Sequence, residues 1–183
     1  MRYDEVEGYM SSDLLSDTPL IIKLPKPRAL MEPAIVVKKE QRVLELWDGS
    51  ALAAVFPVGL GISPKGHKQL EGDGRTPEGE YYVCMRNKNS RYYLSLGLSY
   101  PNKNDAKAAL EEGRIDQRTH DKIAKAIDGR QRPSWSTPLG GEIMIHGHGA
   151  HSDWTFGCVA VDDEGMDILW AACKEGTPVT ILP

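Results

Sequence analysis

A hairpin signal near the start of the chain sets the fold class. Asp48-Gly49 separates two apolar, β-favouring runs, residues 42–47 and 52–58. A two-residue turn between antiparallel strands needs positive φ, which glycine adopts at little cost and aspartate tolerates, so this dipeptide predicts a tight hairpin. A further run at residues 34–37 is short, apolar and β-branched. These runs together predict an antiparallel sheet at the beginning of the folded region.

The rest of the chain adds strands and three helices. More β-favouring runs cover residues 81–85, 92–98, 142–145, 159–161 and 177–182. Asp105 can cap a helix over residues 106–112, Asp116 can cap one over residues 117–127, and Asp162 or Asp163 can begin the last helix. That helix carries an apolar stripe typical of core packing, formed by Met166, Leu169, Trp170 and Cys173. The predicted class is mainly β with peripheral α-helices (α+β), in which the first two helices form a lid or a buttress on the sheet rather than a catalytic element.

Composition limits the functions that the chain can have. Its 183 residues, 40% of them hydrophobic, suffice for one sizeable core but not for a second independent domain. The 22 basic and 26 acidic residues form no block of like charge, so neither nucleic acid nor a membrane surface is indicated as a partner. No apolar run is long enough to span a bilayer. Three cysteines without a C-x-x-C pair argue against a disulfide framework and a cysteine-rich zinc site.

Residues 1–32 differ in character from the remainder. They are polar and interrupted by three prolines, which predicts a loosely held extension with one strand near residues 20–24. The longest apolar run there, residues 20–22, is too short for the h-region of a secretory signal peptide. Two explanations stay open: the protein remains inside the cell, or the chain is a processed or trimmed form.

A polar stretch between two apolar runs holds the candidate chemistry. Residues 143–145 and 159–161 read as buried strand ends, and between them lie His146, His148, His151 and Cys158. Gly157 directly before the cysteine allows positive φ or a close backbone approach. A histidine returning from the neighbouring strand can accept the proton of a cysteine placed in this way, which activates the thiol as a nucleophile. A glycine-rich hairpin with a buried cysteine and solvent-facing histidines explains the same spacing.

Three motifs together resemble the YkuD-type L,D-transpeptidase family. They are the turn GDGRTPEGEY at residues 72–81, His146-Gly147 after a strand, and Thr155-Phe156-Gly157-Cys158. They occur in the family's order, and the resemblance covers residues 33–183. The chain departs from most members in having Phe156 in place of a second histidine and a shorter gap between His146 and Cys158. Both departures, and the run at residues 90–102, are similar to the YafK-like branch.

The resemblance implies a YkuD-like curled β-sandwich or partly open barrel, with residues 33–183 as the catalytic domain. It implies a transferase that acts on peptidoglycan stem peptides in the cell envelope. We expect no metal, because the chain offers few further ligands beside its clustered histidines, and no cofactor. Cys158 would attack the peptide carbonyl and form a thioester while His146 serves as the general base. We expect an imidazolium beside Cys158 to lower its pKa, because free cysteine is mostly protonated at neutral pH.

Other residues have expected supporting roles. The amides of Gly157 and Cys158 are candidates to stabilise the oxyanion. The group that orients His146 is either Asp153 or, as the resemblance implies, a backbone carbonyl near residues 147–148. Residues predicted to bind the substrate are His148, Thr155, Phe156, Arg75 and Arg91.

Three other functions remain open at this point. The same cysteine and histidine can hydrolyse a stem peptide as an L,D-carboxypeptidase or an amidase. His146, His148 and His151 with Asp153 have a spacing that suits a zinc hydrolase, although the chain offers few further ligands. A non-catalytic cell-wall-binding module with the same fold is the third possibility, and the intact His146 and Cys158 argue against it. The oligomeric state is not indicated.

Overall fold

The computed structural model describes residues 29–183, so the strand predicted near residues 20–24 lies outside the described part. The strands in the described range are β1 (Pro33–Lys38), β2 (Val43–Asp48), β3 (Ala51–Pro57), β4 (Gly79–Ser90), β5 (Tyr93–Leu98), β6 (Met144–His146), β7 (Val159–Ala160) and β8 (Pro178–Leu182). The helices in that range are α1 (Lys103–Glu111), α2 (Gln117–Asp128) and α3 (Asp163–Ala172). None of these helices is long and apolar enough to cross a membrane.

These strands form a single sheet in the order β3-β2-β1-β8-β4-β5-β6-β7. The hairpin predicted at Asp48-Gly49 joins β2 to β3, where Asp48 pairs with Ala51 and Gly49 has a φ of 59°. The Asp48 carboxylate also accepts the N–H groups of Met31 and Glu32 at 2.9 and 2.8 Å. The turn residue therefore fixes the segment that leads into β1 as well as the hairpin itself.

β4 is longer than the predicted strand at residues 81–85 because its two halves pair with different neighbours. The first half pairs with β8 and the second with β5. The register shifts between Val83 and Met85, which leaves Cys84 at a bulge. A bulge bends the strand that carries it. β4 is therefore bent between its first half, which pairs with β8, and its second half, which pairs with β5.

The two edges of the sheet meet where the segment after β3 contacts β7 and the turn before it. Gly59 and Ala160 exchange two backbone hydrogen bonds of 2.9 and 2.8 Å, and Gly61 forms a bridge with Thr155. The sheet therefore curls into a partly open barrel, which confirms the predicted mainly β class with peripheral helices. This closure brings the segment after β3 against the Thr155–Cys158 turn.

The main core lies inside the curl of the sheet, and α3 packs into it. Met166 and Leu169 are fully buried there, and so is Cys173 at the end of the helix, as the apolar stripe predicts. α3 follows β7 directly and contacts β5. It therefore stabilises the part of the sheet that holds the polar stretch between residues 145 and 159.

The helix pair α1 and α2 has a small core of its own. It consists of Ala106, Ala109, Ile115, Ile123 and Leu139. The predicted cap at Asp105 is wrong: Asn102 caps α1, and Asp105 is the third helical residue, whose carboxylate accepts the Asn102 N–H at 2.7 Å. This reciprocal capping box starts the helix three residues earlier than predicted. Asp116 caps α2 as predicted, through the Thr119 N–H at 2.8 Å.

Candidate active site

The turn before Cys158 has a conformation that requires glycine. Gly157 has a φ of 130°, and a Cβ added there would lie 2.6 Å from the Arg75 carbonyl oxygen. The buried Thr155 hydroxyl holds the turn from inside, because it donates to the Cys158 carbonyl at 2.8 Å and accepts the Gly157 N–H at 3.1 Å. The cysteine is thus presented by a rigid turn.

The same hydrogen bonds alter the expected oxyanion site. The Gly157 N–H donates to Thr155, so it is not available to an oxyanion in this conformation. Of the two amides predicted for that role, the Cys158 N–H is the remaining candidate. Thr155, predicted to bind substrate, instead uses its hydroxyl within the turn.

The Cys158 side chain is half-buried and lies on the wall of a cleft of about 680 Å³. The Met144 N–H points at its Sγ at 3.4 Å, and the Sγ lies 3.5 Å from the Glu142 carbonyl oxygen. The cleft is also lined by Lys68, Glu71, Gly72, Trp135, Ser136, Thr137, Pro138, Gly141, Ile143 and Phe156. The sulfur is therefore accessible from a cleft large enough for a peptide segment.

The pKa of the Cys158 thiol is raised to about 11, chiefly by burial, although the Met144 N–H and the charge of Lys68 act in the opposite direction. Burial raises the pKa of Cys84 and Cys173 to about 12. The predicted lowering of the Cys158 pKa is therefore wrong for the resting site, because the cost of burying a thiolate outweighs the favourable contacts. The thiol stays protonated at neutral pH, so attack needs a base that removes its proton.

His146 ends β6 and is almost completely buried. Its Nδ1 lies 2.7 Å from the Gly147 carbonyl oxygen, which can only accept a hydrogen bond. Nδ1 therefore carries the proton of the neutral imidazole and Nε2 carries the lone pair. Burial lowers the pKa of His146 below 6.5, so the ring is neutral and able to accept a proton at pH 7.

Two aromatic side chains enclose the His146 ring. Tyr92 stacks on it with ring centroids 4.8 Å apart, and Trp154 meets it edge-on at 5.5 Å. The Trp154 Nε1–H donates to the Gly149 carbonyl at 3.1 Å, which fixes the orientation of the indole. These contacts restrict the imidazole and shield it from water.

Strand pairing places His146 and Cys158 on the same face of the sheet. β6 and β7 run parallel with Ile145 opposite Val159, so Cys158 lies beside Met144 and His146 lies two residues further along β6. Side chains two residues apart point to the same face, and the offset along the strands is about 7 Å. The nucleophile and base that the sequence pattern suggests are thus on adjoining, rigidly paired segments.

The other two histidines of the stretch are exposed. His148 has a φ of 78°, its backbone N–H donates to the Asp163 carboxylate at 2.8 Å, and its ring meets Tyr92 edge-on at 5.9 Å. His151 is exposed in the following loop. Between residues 29 and 183, no three histidine, cysteine or acidic side chains come together where they could hold a metal ion. The local sequence spacing of the histidines therefore does not correspond to a shared site in the fold.

Asp153 does not orient His146, contrary to one of the two expected possibilities. Its carboxylate forms an ion pair with Arg42 at 2.8 Å and accepts the Leu60 N–H at 2.9 Å. It therefore ties the segment after β3 to the loop before Thr155. The orienting group beside the imidazole is the carbonyl of Gly147, the alternative that the resemblance implies.

The remaining predicted substrate-binding residues are dispersed. Phe156 is 79% exposed at the cleft that holds Cys158. The Arg75 guanidinium lies 3.5 Å from the His67 carbonyl oxygen, and Arg91 is exposed in the turn between β4 and β5. Neither arginine is among the described residues that line the cleft. Phe156 is thus the predicted contact that the fold places at the cleft.

Sequence reasoning missed several side chains of the site. Lys68 and Glu71 come from the long loop between β3 and β4, and Trp154 and Tyr92 enclose His146 from two different segments. Trp154 lies in the polar stretch between residues 145 and 159, and Tyr92 begins the predicted strand at residues 92–98. No sequence pattern marks either as a contact of His146, and none marks Lys68 or Glu71 as part of a site.

Comparison with known proteins identifies the family and the fold of the chain. The sequence profile of the L,D-transpeptidase catalytic domain, YkuD, matches residues 32–181. YafK of Escherichia coli strain K12, named as a presumed L,D-transpeptidase, is 24% identical over 163 residues, which are 85% of this chain and 53% of YafK. The chain thus spans about half the length of the curated relatives that it matches.

Two solved structures share the fold. The helical cell shape determining protein Pgp2 of Campylobacter jejuni superposes with a TM-score of 0.54 at 18% identity, over 86% of this chain and 51% of Pgp2. Bd1075 of Bdellovibrio bacteriovorus superposes with a TM-score of 0.53 at 23% identity, over 84% of this chain and 48% of Bd1075. Since the family profile covers nearly all of the described residues, the chain belongs to the YkuD family of L,D-transpeptidase catalytic domains.

Proposed function

We propose that this protein is a cysteine-dependent L,D-transpeptidase acting on peptidoglycan stem peptides, with residues 33–183 as its catalytic domain. One observation carries the proposal: a half-buried thiol and a neutral imidazole with an unprotonated Nε2 lie on one face of two paired segments. Cys158 is the nucleophile and His146 the general base. Membership of the family supports the reaction type. Peptidoglycan lies in the cell envelope, so we propose that the protein acts there.

Acylation begins with proton transfer from the Cys158 thiol to Nε2 of His146. The sulfur attacks the carbonyl carbon of the diaminopimelate (or equivalent) residue, and the Cys158 N–H helps to hold the resulting oxyanion. When the tetrahedral species collapses, the carbon–nitrogen bond breaks and His146 returns the proton to the departing amine. A D-amino acid leaves, and the stem remains bound to Cys158 as a thioester.

Deacylation uses the same two residues in reverse order. An acceptor amine from a second stem gives a proton to His146 and attacks the thioester carbonyl, and the Cys158 sulfur leaves and takes the proton back. The product is a new peptide bond between two stems. Phe156 and Trp135 provide apolar surface at the cleft on which the donor stem is held.

The pH profile of kcat/KM is expected to be flat from about pH 7 to at least pH 9. Activity should fall only below pH 6.5, because burial lowers the pKa of His146 and the ring must be neutral to accept the thiol proton. The thiol, with its pKa raised to about 11, remains protonated throughout this range. The measurement is kcat/KM on a tetrapeptide stem between pH 5 and 9.5. A tenfold rise per pH unit above pH 7 would show that free thiolate attacks without His146.

Product analysis tests the proposed reaction. Tetrapeptide-stem muropeptides are incubated with the protein and separated by mass spectrometry. We expect cross-linked dimers together with one free D-amino acid per new bond, and no products with a Cys158→Ala variant. Free D-amino acid without dimers would replace transpeptidation by hydrolysis at the same site. Absence of both products from properly folded protein would contradict the proposal.

A further inference from the structure

Lys68 is a buried cation in the wall between two cavities. The residue is 2% exposed and lies in the loop between β3 and β4. On one side it lines the cleft that contains Cys158. On the other it lines a cavity of about 570 Å³ beside α1, together with Asp105 and Arg114. A lysine is rarely buried unless its charge is compensated, so its partners identify its role.

The ammonium group of Lys68 has fewer acceptors than it has hydrogens. Nζ donates to the Leu70 carbonyl and to the Asp73 carboxylate, both at 2.9 Å. An ammonium has three donors, so one N–H has no acceptor among the residues that the structure describes. Burial opposes ionisation of Asp73, yet the N–H groups of the surrounding loop keep its pKa lowered, so the Asp73 carboxylate is charged at neutral pH.

Lys39 provides an internal comparison. It is equally buried at 2%, but its Nζ donates to the carbonyls of Gly66 and Thr76 and to the Glu78 carboxylate, at 2.6, 3.0 and 2.7 Å. All three of its donors are used, and it does not line the cleft. The hydrogen bonds of Lys39 therefore stabilise the fold and leave no donor free, whereas Lys68 retains an unused donor at a cavity wall.

We propose that Lys68 is a positioning residue whose fixed positive charge favours the anion that forms at Cys158 during attack. Among the described residues that line the cleft, Lys68 carries the positive charge, and Glu71 and Glu142 carry negative charge. His146 is neutral above its lowered pKa and adds no positive charge there. The ammonium therefore offsets the charge of Glu142, which opposes ionisation of the sulfur.

The size of the effect is limited by the geometry. Asp73 neutralises part of the Lys68 charge, but the Lys68 charge still lowers the pKa of Cys158 against the dominant effect of burial. Below the pKa of a thiol, its alkylation rate follows the thiolate fraction, and one pKa unit changes that fraction about tenfold. Loss of the charge should therefore slow alkylation of Cys158 about three- to tenfold.

The test is the rate of Cys158 alkylation by iodoacetamide at pH 8, followed by peptide mapping. Lys68→Met should slow it about three- to tenfold, as should Lys68→Gln, which still donates hydrogen bonds. Lys68→Arg should restore most of the rate. Lys39→Met is the matched control, which removes an equally buried lysine and should leave the rate within about twofold of the unmodified chain.

Each result decides the proposal. Far-UV circular dichroism and the melting temperature identify variants that fold, and the comparison is made among those. A rate in both neutral Lys68 variants equal to or faster than that of Lys39→Met would overturn the role of Lys68. The inference rests on the proposed function only in taking Cys158 as the nucleophile. Iodoacetamide alkylates Cys158 without any stem peptide, so the alkylation rates can be compared even if the transpeptidase reaction is absent. Failure of the proposed function and failure of the role of Lys68 are therefore distinguishable.

Discussion

Cys158→Ser is expected to lower kcat/KM on a tetrapeptide stem by about a thousandfold or more. Serine changes the side-chain volume little, so the turn held by Thr155 should persist. The hydroxyl, however, ionises far less readily than a thiol, and a site with a neutral histidine as its base is matched to sulfur. The measurement is the rate of D-amino acid release, with the melting temperature as a check on folding.

The other cysteines provide the controls for this substitution. Cys84 lies at the β4 bulge and Cys173 is buried at the end of α3, and both thiols have pKa values of about 12. Cys84→Ser and Cys173→Ala should retain kcat/KM within about threefold when folded, since neither residue lines the cleft. Substantial activity in folded Cys158→Ser, or loss confined to a Cys84 or Cys173 variant, would contradict the assignment of the nucleophile.

His146→Ala is expected to lower kcat/KM by about a hundred- to ten-thousandfold. The thiol of Cys158 has a raised pKa of about 11, so without a base only a very small fraction reacts at neutral pH. His148→Ala and His151→Ala should each change the rate by less than about threefold, because both side chains are exposed outside the cleft. The three variants are compared at pH 7.5 on one substrate.

Equal losses in the three histidine variants would have a different meaning. They would indicate that the histidines act as one unit, as ligands of a shared metal ion do. Activity lost to a chelator and restored by zinc would then support the hydrolase alternative. The fold argues against that outcome, since no three potential metal-binding side chains come together between residues 29 and 183, and Nδ1 of His146 is engaged with the Gly147 carbonyl.

The parts of the fold that follow from local patterns could be predicted from the sequence. The Asp48-Gly49 hairpin and the α2 cap at Asp116 depend on residues close in the chain, and both occur where predicted. The full length of β4 could not be predicted, because its ends are stabilised by β8 and β5, which are distant in sequence. The start of α1 was misplaced because Asn102 and Asp105 cap it reciprocally, and one acidic residue alone suggests the wrong position.

The candidate site, like the fold, can be predicted from the sequence only in part. Cys158 and His146 stand at the ends of short apolar runs, so their proximity follows from pairing of those runs. The environment that determines their pKa values does not follow from the sequence. Burial of the thiol and of the imidazole depends on Tyr92, Trp154 and the loop that carries Lys68, which meet only after the sheet has curled. For that reason the prediction of a lowered Cys158 pKa is wrong.

Trapping of the acyl-enzyme tests the central claim most directly. The protein is mixed with a tetrapeptide stem whose side-chain amine is acetylated, so that the stem cannot act as an acceptor. The reaction is quenched in acid, where a thioester survives, and the intact mass and the peptide map are then recorded. We expect a mass increase equal to the stem without its terminal D-amino acid, located on Cys158 and absent from Cys158→Ser. Product formation without any adduct, or an adduct on a residue other than Cys158, would contradict the account.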